Sequence, residues 1–185
     1  MISLIVAAST EYGIGKDNNL PWDIPEELNN FKRITSNVID KSKKNCIIMG
    51  RNTWMSLPKK PLPNRLNIIV STTLIGSDSS EDSDVVIVNS ILGAIKYAKE
   101  REDIENIFII GGEAIYNHVI NNHISIIDKI YLSIITDKYY ECDKFINMNR
   151  IYEYFNINSE NIHVLERYMF MILDRKNKIV DEHVD

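Results

Sequence analysis

The sequence predicts an α/β fold: a single domain on a central, mostly parallel eight-stranded sheet with an antiparallel C-terminal edge, flanked by about four helices. Three observations predict it. Short apolar runs rich in β-branched residues recur along the chain, as in strands buried on both faces. Segments of helical character alternate with these runs through the first two thirds of the chain. After them strands follow one another without helices between, which suits an antiparallel pair at the sheet's end. With 185 residues, 44% of them hydrophobic and 25% charged, the chain can bury one core without staples.

Each element has its own reason. Ile2 to Ala8 is continuously apolar and reads as a central strand. Thr10 to Asp23, which holds Gly13, Gly15 and Pro21, is expected to be a loop without regular structure. Pro25 is pre-set for a first helical turn, and its helix runs to about Ser36. Asn37 to Asn45 is polar and is expected to be an exposed loop. Cys46 to Met49 is a second strand, after which Gly50 and Arg51 open a short helix through Leu57. Pro58, Pro61 and Pro63 stiffen the connection to a third strand, Leu66 to Ser71. Ser77 to Asp84 is an acidic, serine-rich loop, expected to be mobile. Val85 to Val88 is a fourth strand, and Ile91 to Arg101 a helix with Ile91, Ile95 and Ala98 on one face. A fifth strand, Ile107 to Ile110, ends at Gly111-Gly112 and leads into a helix reaching about Ile120. Ile127 to Ile135 is the sixth strand; Tyr154–Ile157 and Val164–Asp174 form the late antiparallel pair. Residues 1–175 thus make the domain, and 176–185 a polar tail or linker stub.

Composition excludes several function classes. The net charge of -5 argues against a nucleic-acid partner. An anionic ligand would need locally placed arginines against that overall field. Cys46 and Cys142 form no C-x-x-C pair and read as two buried small hydrophobes in a reducing cytoplasm. His118, His123, His163 and His183 lack zinc-ligand spacing, so no metal is expected. No signal-peptide pattern and no bilayer-length apolar run occur, so no membrane partner is expected.

Chemistry points first to Glu27. It lies four residues before Phe31, at the border of the apolar face formed by Ile24, Leu28, Phe31 and Thr35. No lysine or arginine shares its turn. A ligand with two adjacent N–H donors would satisfy it, and desolvation would raise its pKa. The plainer reading is that Glu26 and Glu27 both favour the positive end of the helix dipole. Trp22 is core filler, or one wall of a site with its indole N–H fixing a water. Three strand-to-helix or strand-end turns read as anion sites: Gly50-Arg51-Asn52-Thr53, Ser71-Thr72 and Gly111-Gly112. The glycine pair would let a pyrophosphate approach bare backbone, although a tight turn is the simpler account. No G-x-G-x-x-G or Walker pattern occurs. Arg65, behind Pro61-Leu62-Pro63, is a surface charge or a fork for a carboxylate.

In this order and spacing the segments resemble the dihydrofolate reductase family, from Ile2 to about Leu173. The carriers are Ile5-Val6-Ala7-Ala8, Ile14-Gly15 through Leu20-Pro21-Trp22, and Glu27-Leu28 with Phe31-Lys32. Ile48-Met49-Gly50-Arg51-Asn52-Thr53-Trp54, Pro61-Leu62-Pro63-Asn64-Arg65, and Ile110-Gly111-Gly112 with Tyr116 complete them.

The resemblance implies reduction of dihydrofolate by NADPH, in support of one-carbon metabolism and thymidylate synthesis. It implies that Glu27 takes the pterin's donor pair, oriented through Ser133. It makes Ile5, Val6, Ala7, Leu28, Phe31, Leu57 and Ile110 the substrate walls, and Arg65 the clamp on the α-carboxylate. Leu20 belongs to a loop over the nicotinamide, and Tyr116 lies near that ring. On the cofactor side it implies Ala7, Ile14, Gly15, Gly50, Arg51, Asn52, Thr53, Ser71, Thr72, Asn89, Ile110, Gly111, Gly112, Glu113, Ala114, Ile115 and Tyr116. Hydride would pass to pterin C6, with N5 protonated by water admitted beside Trp22 and Glu27. Asn52 and Asn89 stand where many relatives carry basic or imidazole groups, which leaves most recognition of the 2′-phosphate to Arg51. Antifolates are expected ligands, and a cytoplasmic monomer the expected state unless a thymidylate synthase is fused. A pyrimidine reductase of the riboflavin pathway and a catalytically silent module remain the alternatives.

Overall fold

The computed structural model describes residues 1–74 and 84–176. Eight strands form one sheet: β1 (Ile2–Ser9), β3 (Lys44–Gly50), β4 (Arg65–Val70), β5 (Val85–Val88), β6 (Ile104–Gly111), β7 (Lys129–Ile135), β9 (Phe155–Val164) and β10 (Tyr168–Arg175). Their order is β5-β4-β3-β6-β1-β7-β10-β9. Every pairing from β5 to β7 is parallel, and β10 pairs antiparallel with both β7 and β9. The expected sheet and its antiparallel edge are both present. β1 is central, flanked by β6 and β7, which is why its run is apolar throughout.

Alternation along β1 divides the core. Leu4, Val6 and Ala8 face a cluster with α3 (Ile91–Lys99) and α4 (Glu113–Asn122). Ile5 faces the opposite layer, with Ile47, Met49, Phe108 and Ile110, against α1 (Pro25–Ser36) and α2 (Arg51–Ser56). The parallel connections leave the loops after β1, β3 and β6 at one end of the sheet, where open α/β sheets hold their ligands.

The structure departs from the sequence reading in five places. A fifth helix, α5 (Met148–Tyr154), precedes β9, and Tyr154 closes it rather than opening a strand. The helix buries only Met148 and Ile151, too few positions to show a period, and Asn147 caps it by accepting from Arg150 N at 3.1 Å. Gly13–Gly15 is not irregular: it forms the short strand β2, paired with β8 (Lys144–Phe145). A Cβ on Gly13 would lie 2.4 Å from Cys142 Cβ, so the glycine is what lets the two segments meet. The last strand begins at Tyr168, not Val164, which ends β9. Cys46 is buried as expected, whereas Cys142 is only half-buried. The expected mobile loop lies outside the described residues except for Asp84, and the tail does so from residue 177.

The fifth departure is Asn45, which belongs to β3 and is fully buried. Its amide donates to Thr35 O at 3.1 Å and Asn37 O at 2.8 Å, and its oxygen accepts from Asn106 N at 3.1 Å. Glu105 pins the same segment by accepting from Ile39 N and Asp40 N. The end of α1 is thereby tied to the sheet. No described helix is long and apolar enough to cross a membrane. Asn45→Ala leaves the buried Thr35 O and the part-buried Asn37 O and Asn106 N short of a partner; a loss of about 1–3 kcal/mol, the cost of the one fully buried unsatisfied group, is expected as a lower urea midpoint with unchanged slope.

Candidate functional site

Glu27 lies in the first turn of α1, just after Ile24 ends the incoming segment. Glu26 is exposed, as the dipole account requires, but Glu27 is only 6% exposed. Among the described residues no cation lies within ion-pairing distance of it. Burial pushes its carboxyl above the ordinary carboxylate range, and the hydrogen-bonding Ser133 hydroxyl opposes that rise. Ser133 sits on β7 directly beside Ala7 of β1, so the parallel register presents both to the α1 layer.

Tyr116, the buried tyrosine of α4, reaches across and donates to Ile5 O at 2.7 Å. Burial, and secondarily the charge of Glu27, push its hydroxyl pKa up. Trp22 is 7% exposed, and its Nε1 is buried with no partner among the described residues. A buried donor without an acceptor is uncommon and marks a place where a small polar ligand or water fits. Ile5, Ile110, Phe31 and Leu57 share one cluster with Met49, Trp54 and Leu62. Leu28 and Leu20 stand outside it, 45% and 49% exposed. Val6 does not join this group: its side chain packs on the opposite face of the sheet.

Arg65 opens β4 and is 2% exposed, so the surface-charge reading fails. Its Nε donates to Pro63 O at 3.0 Å and its NH1 to Thr35 Oγ1 at 2.7 Å. No described carboxylate pairs with it, and desolvation lowers its pKa. Asn67 braces the proline segment by accepting from Leu62 N and donating to Leu62 O and Arg65 O. The sequence reading names Thr35 only as part of the apolar face of α1 and does not name Asn67. Only the observation that a buried arginine needs neutral acceptors nearby would have found them.

The glycine turns come together. Met49 of β3 stands in register with Gly111 of β6, so Gly50 and the Gly111-Gly112 pair are neighbours. A Cβ on Gly50 would lie 3.1 Å from Ile115 Cγ1, and one on Gly112 would lie 3.1 Å from Thr53 Oγ1. Gly111 has φ +110° and its Cβ would strike the Tyr116 ring at 2.8 Å, so only glycine suits it. What remains is bare backbone rimmed by Arg51, Thr53 and Ile115.

Arg51 NH1 donates to Thr73 Oγ1 at 3.2 Å, so Thr73 joins the two loops, with the equally exposed Thr72 beside it. Ser71 Oγ turns inward and accepts from Thr73 N and Leu74 N. Asn89 and Ala114 are exposed, and the Glu113 carboxylate is engaged by Phe145 N at 2.9 Å. Ile14 packs on the core, while Gly15 O accepts from Asp143 N at 2.9 Å. Asp143 Oδ2 also accepts from Asp17 N at 3.2 Å. Asn18, Asn19, Asn52, Met55 and Ser56 line a cavity of about 220 Å³ between this segment and α2.

Comparison with known proteins identifies the family. The family model for dihydrofolate reductase matches residues 1–175. The chain is 38% identical to the dihydrofolate reductase of Drosophila melanogaster, over 77% of each chain. It is 40% identical to that of Aedes albopictus, again over 77% of each. It is 39% identical to bifunctional dihydrofolate reductase-thymidylate synthase 2 of Arabidopsis thaliana, covering 77% of this chain and 26% of that one.

The raised pKa of Glu27 has a stability consequence. The folded state holds that proton more tightly than the unfolded chain, so the contribution is full below the unfolded pKa and is lost as pH rises through the folded one. Glu27→Gln therefore raises the melting midpoint at pH 7, by about 2–4 °C per kcal/mol relieved, and the gain shrinks on acidification towards the unfolded value. Thermal melts of both proteins across that range check it.

Proposed function

The chain belongs to the dihydrofolate reductase family, and on that premise we propose that it reduces 7,8-dihydrofolate to 5,6,7,8-tetrahydrofolate with NADPH. The observation that carries the reading is a pair of buried charges, unanswered among the described residues, one on α1 and the other on β4 but held by α1. Glu27 lacks a cation at the start of α1, and Arg65, held by Thr35 eight residues further along, lacks an anion. Eight residues of helix span about 12 Å. A ligand that answers both carries two N–H donors at one end and a carboxylate at the other, with a flat apolar middle for Ile5, Phe31, Leu57 and Ile110. Dihydrofolate has that form.

The donor set suits the cofactor as well. The bare backbone at Gly50, Gly111 and Gly112 suits a pyrophosphate, with Thr53 beside it. Arg51 and Thr73 would hold the adenosine-phosphate end, in spite of the net charge of -5. When bound, NADPH supplies the hydride.

The chain's own residues do the rest. The Glu27 carboxylate accepts from the pterin's amino group and ring N–H and polarises the ring. Ser133 holds that carboxyl in place. The unpartnered Trp22 Nε1 is free to fix a water for protonation of N5. Arg65 orients the substrate through its α-carboxylate, and the walls exclude bulk water. We read residues 1–175 as the reductase domain, acting in the cytoplasm for one-carbon metabolism and thymidylate synthesis. Antifolates are expected to bind the same cleft, and the chain is read as a monomer where no thymidylate synthase is fused.

Loss of absorbance as NADPH is oxidised with dihydrofolate tests the reading, with NADH as the control cofactor. Glu27→Ala is expected to lower turnover about 10²–10⁴-fold, the range of acid–base groups. A folded protein that binds NADPH without turnover, or near-normal turnover in the variant, overturns it. Arg65→Lys keeps the charge but loses the fork; KM for dihydrofolate is expected to rise about 10- to 100-fold, with kcat much less affected, in steady-state kinetics.

A further inference from the structure

We infer that Tyr140 is a positioning residue for Trp22. The inference rests on the reading of Trp22 as part of the reductase site. Trp22 precedes α1 and lies on no regular element, so its indole is aimed by packing alone. Ile24, Ile135, Tyr168 and Phe170 supply the buried floor of its cluster. The ring that meets it edge-on is Tyr140, with centroids 5.6 Å apart and planes at 75°. An edge-to-face pair fixes tilt as well as contact, and among the described ring contacts Trp22 makes such a pair with Tyr140 and none with Tyr168 or Phe170 of its floor.

Tyr140 lies in the β7–β8 connection, also outside regular structure, so something must hold it in turn. Its hydroxyl donates to Asp137 Oδ2 at 3.1 Å. The same oxygen accepts from Arg167 Nε at 3.2 Å and NH2 at 3.0 Å. Arg167 stands in the β9–β10 turn, whose backbone is fastened by Thr136 N donating to Arg167 O at 2.9 Å. The Lys138 ammonium lies 5.1 Å from the Tyr140 ring centre. One exposed ion pair of this kind would matter little. Here a single carboxylate oxygen gathers donors from two chain segments, and the tyrosine is the lever that carries that fixation to the indole.

The chain has two tryptophans, so a Trp54→Phe background makes Trp22 the sole emitter. In that background Tyr140→Ala is expected to raise acrylamide quenching of Trp22. It is also expected to lower kcat about tenfold, the factor equivalent to one aromatic pair, while KM for dihydrofolate stays within about twofold. Tyr140→Phe keeps the ring but loses the tie to Asp137, and is expected to fall between the two. Asp137→Asn should resemble it. A melting midpoint for each variant confirms folding. Unchanged quenching in Tyr140→Ala, or a variant whose whole effect is on KM, overturns the inference. A parent protein without turnover overturns the functional reading instead, and the quenching comparison then still decides whether Tyr140 holds Trp22.

Discussion

The carboxyl of Glu27 has been taken out of water at the junction of the first helix and the sheet's centre, and no cation among the described residues neutralises it. Pro25 sets the helix start, the Ala7–Ser133 register supplies one hydroxyl, and Tyr116 closes the floor by bonding to Ile5 O. Each of these devices holds the acid without quenching it. A lysine in place of Ser133 would make a more comfortable core and abolish the acceptor. The surrounding packing has to bear the cost of a group that is satisfied only when something else arrives.

Arg65 is the same problem with the sign reversed, and α1 joins the two. The helix is tethered at its far end through Asn45 and Thr35, so the separation of acid and base is a property of a rigid rod and not of two loops. That rigidity recasts selectivity as a matter of length. A ligand too short to touch both ends leaves one buried charge unanswered, and an unanswered buried charge discriminates more sharply than a missing apolar contact.

Much of this was legible in the sequence. The eight strands of the main sheet and the helices α1 to α4 follow from runs such as Ile2–Ala8 and from the faces of Ile91, Ile95 and Ala98. Glu27 and Arg65 were legible as oddities, a carboxylate beside an apolar face and an arginine behind rigid prolines. What stayed hidden depends on contact between distant segments. Gly13 read as a breaker because its role is to admit Cys142, more than a hundred residues away in sequence. Asn45 read as loop because an amide's worth inside a sheet is set by the carbonyls of another element. Val6 was assigned with its neighbours, although strand alternation turns it to the other face. Tyr140 and Thr73 sit in connections where no period exists to mark them.

The central position of β1 has a consequence for how the molecule comes into being. Its two neighbours, β6 and β7, lie about a hundred residues downstream. At about 5–20 residues per second of synthesis, Ile2–Ala8 waits roughly 5–20 s before either partner exists. During that interval the most apolar stretch of the growing chain has two open edges and no native place to go. The element that organises the finished protein is thus a liability while the chain is being made, and nascent chains need shielding there more than anywhere else.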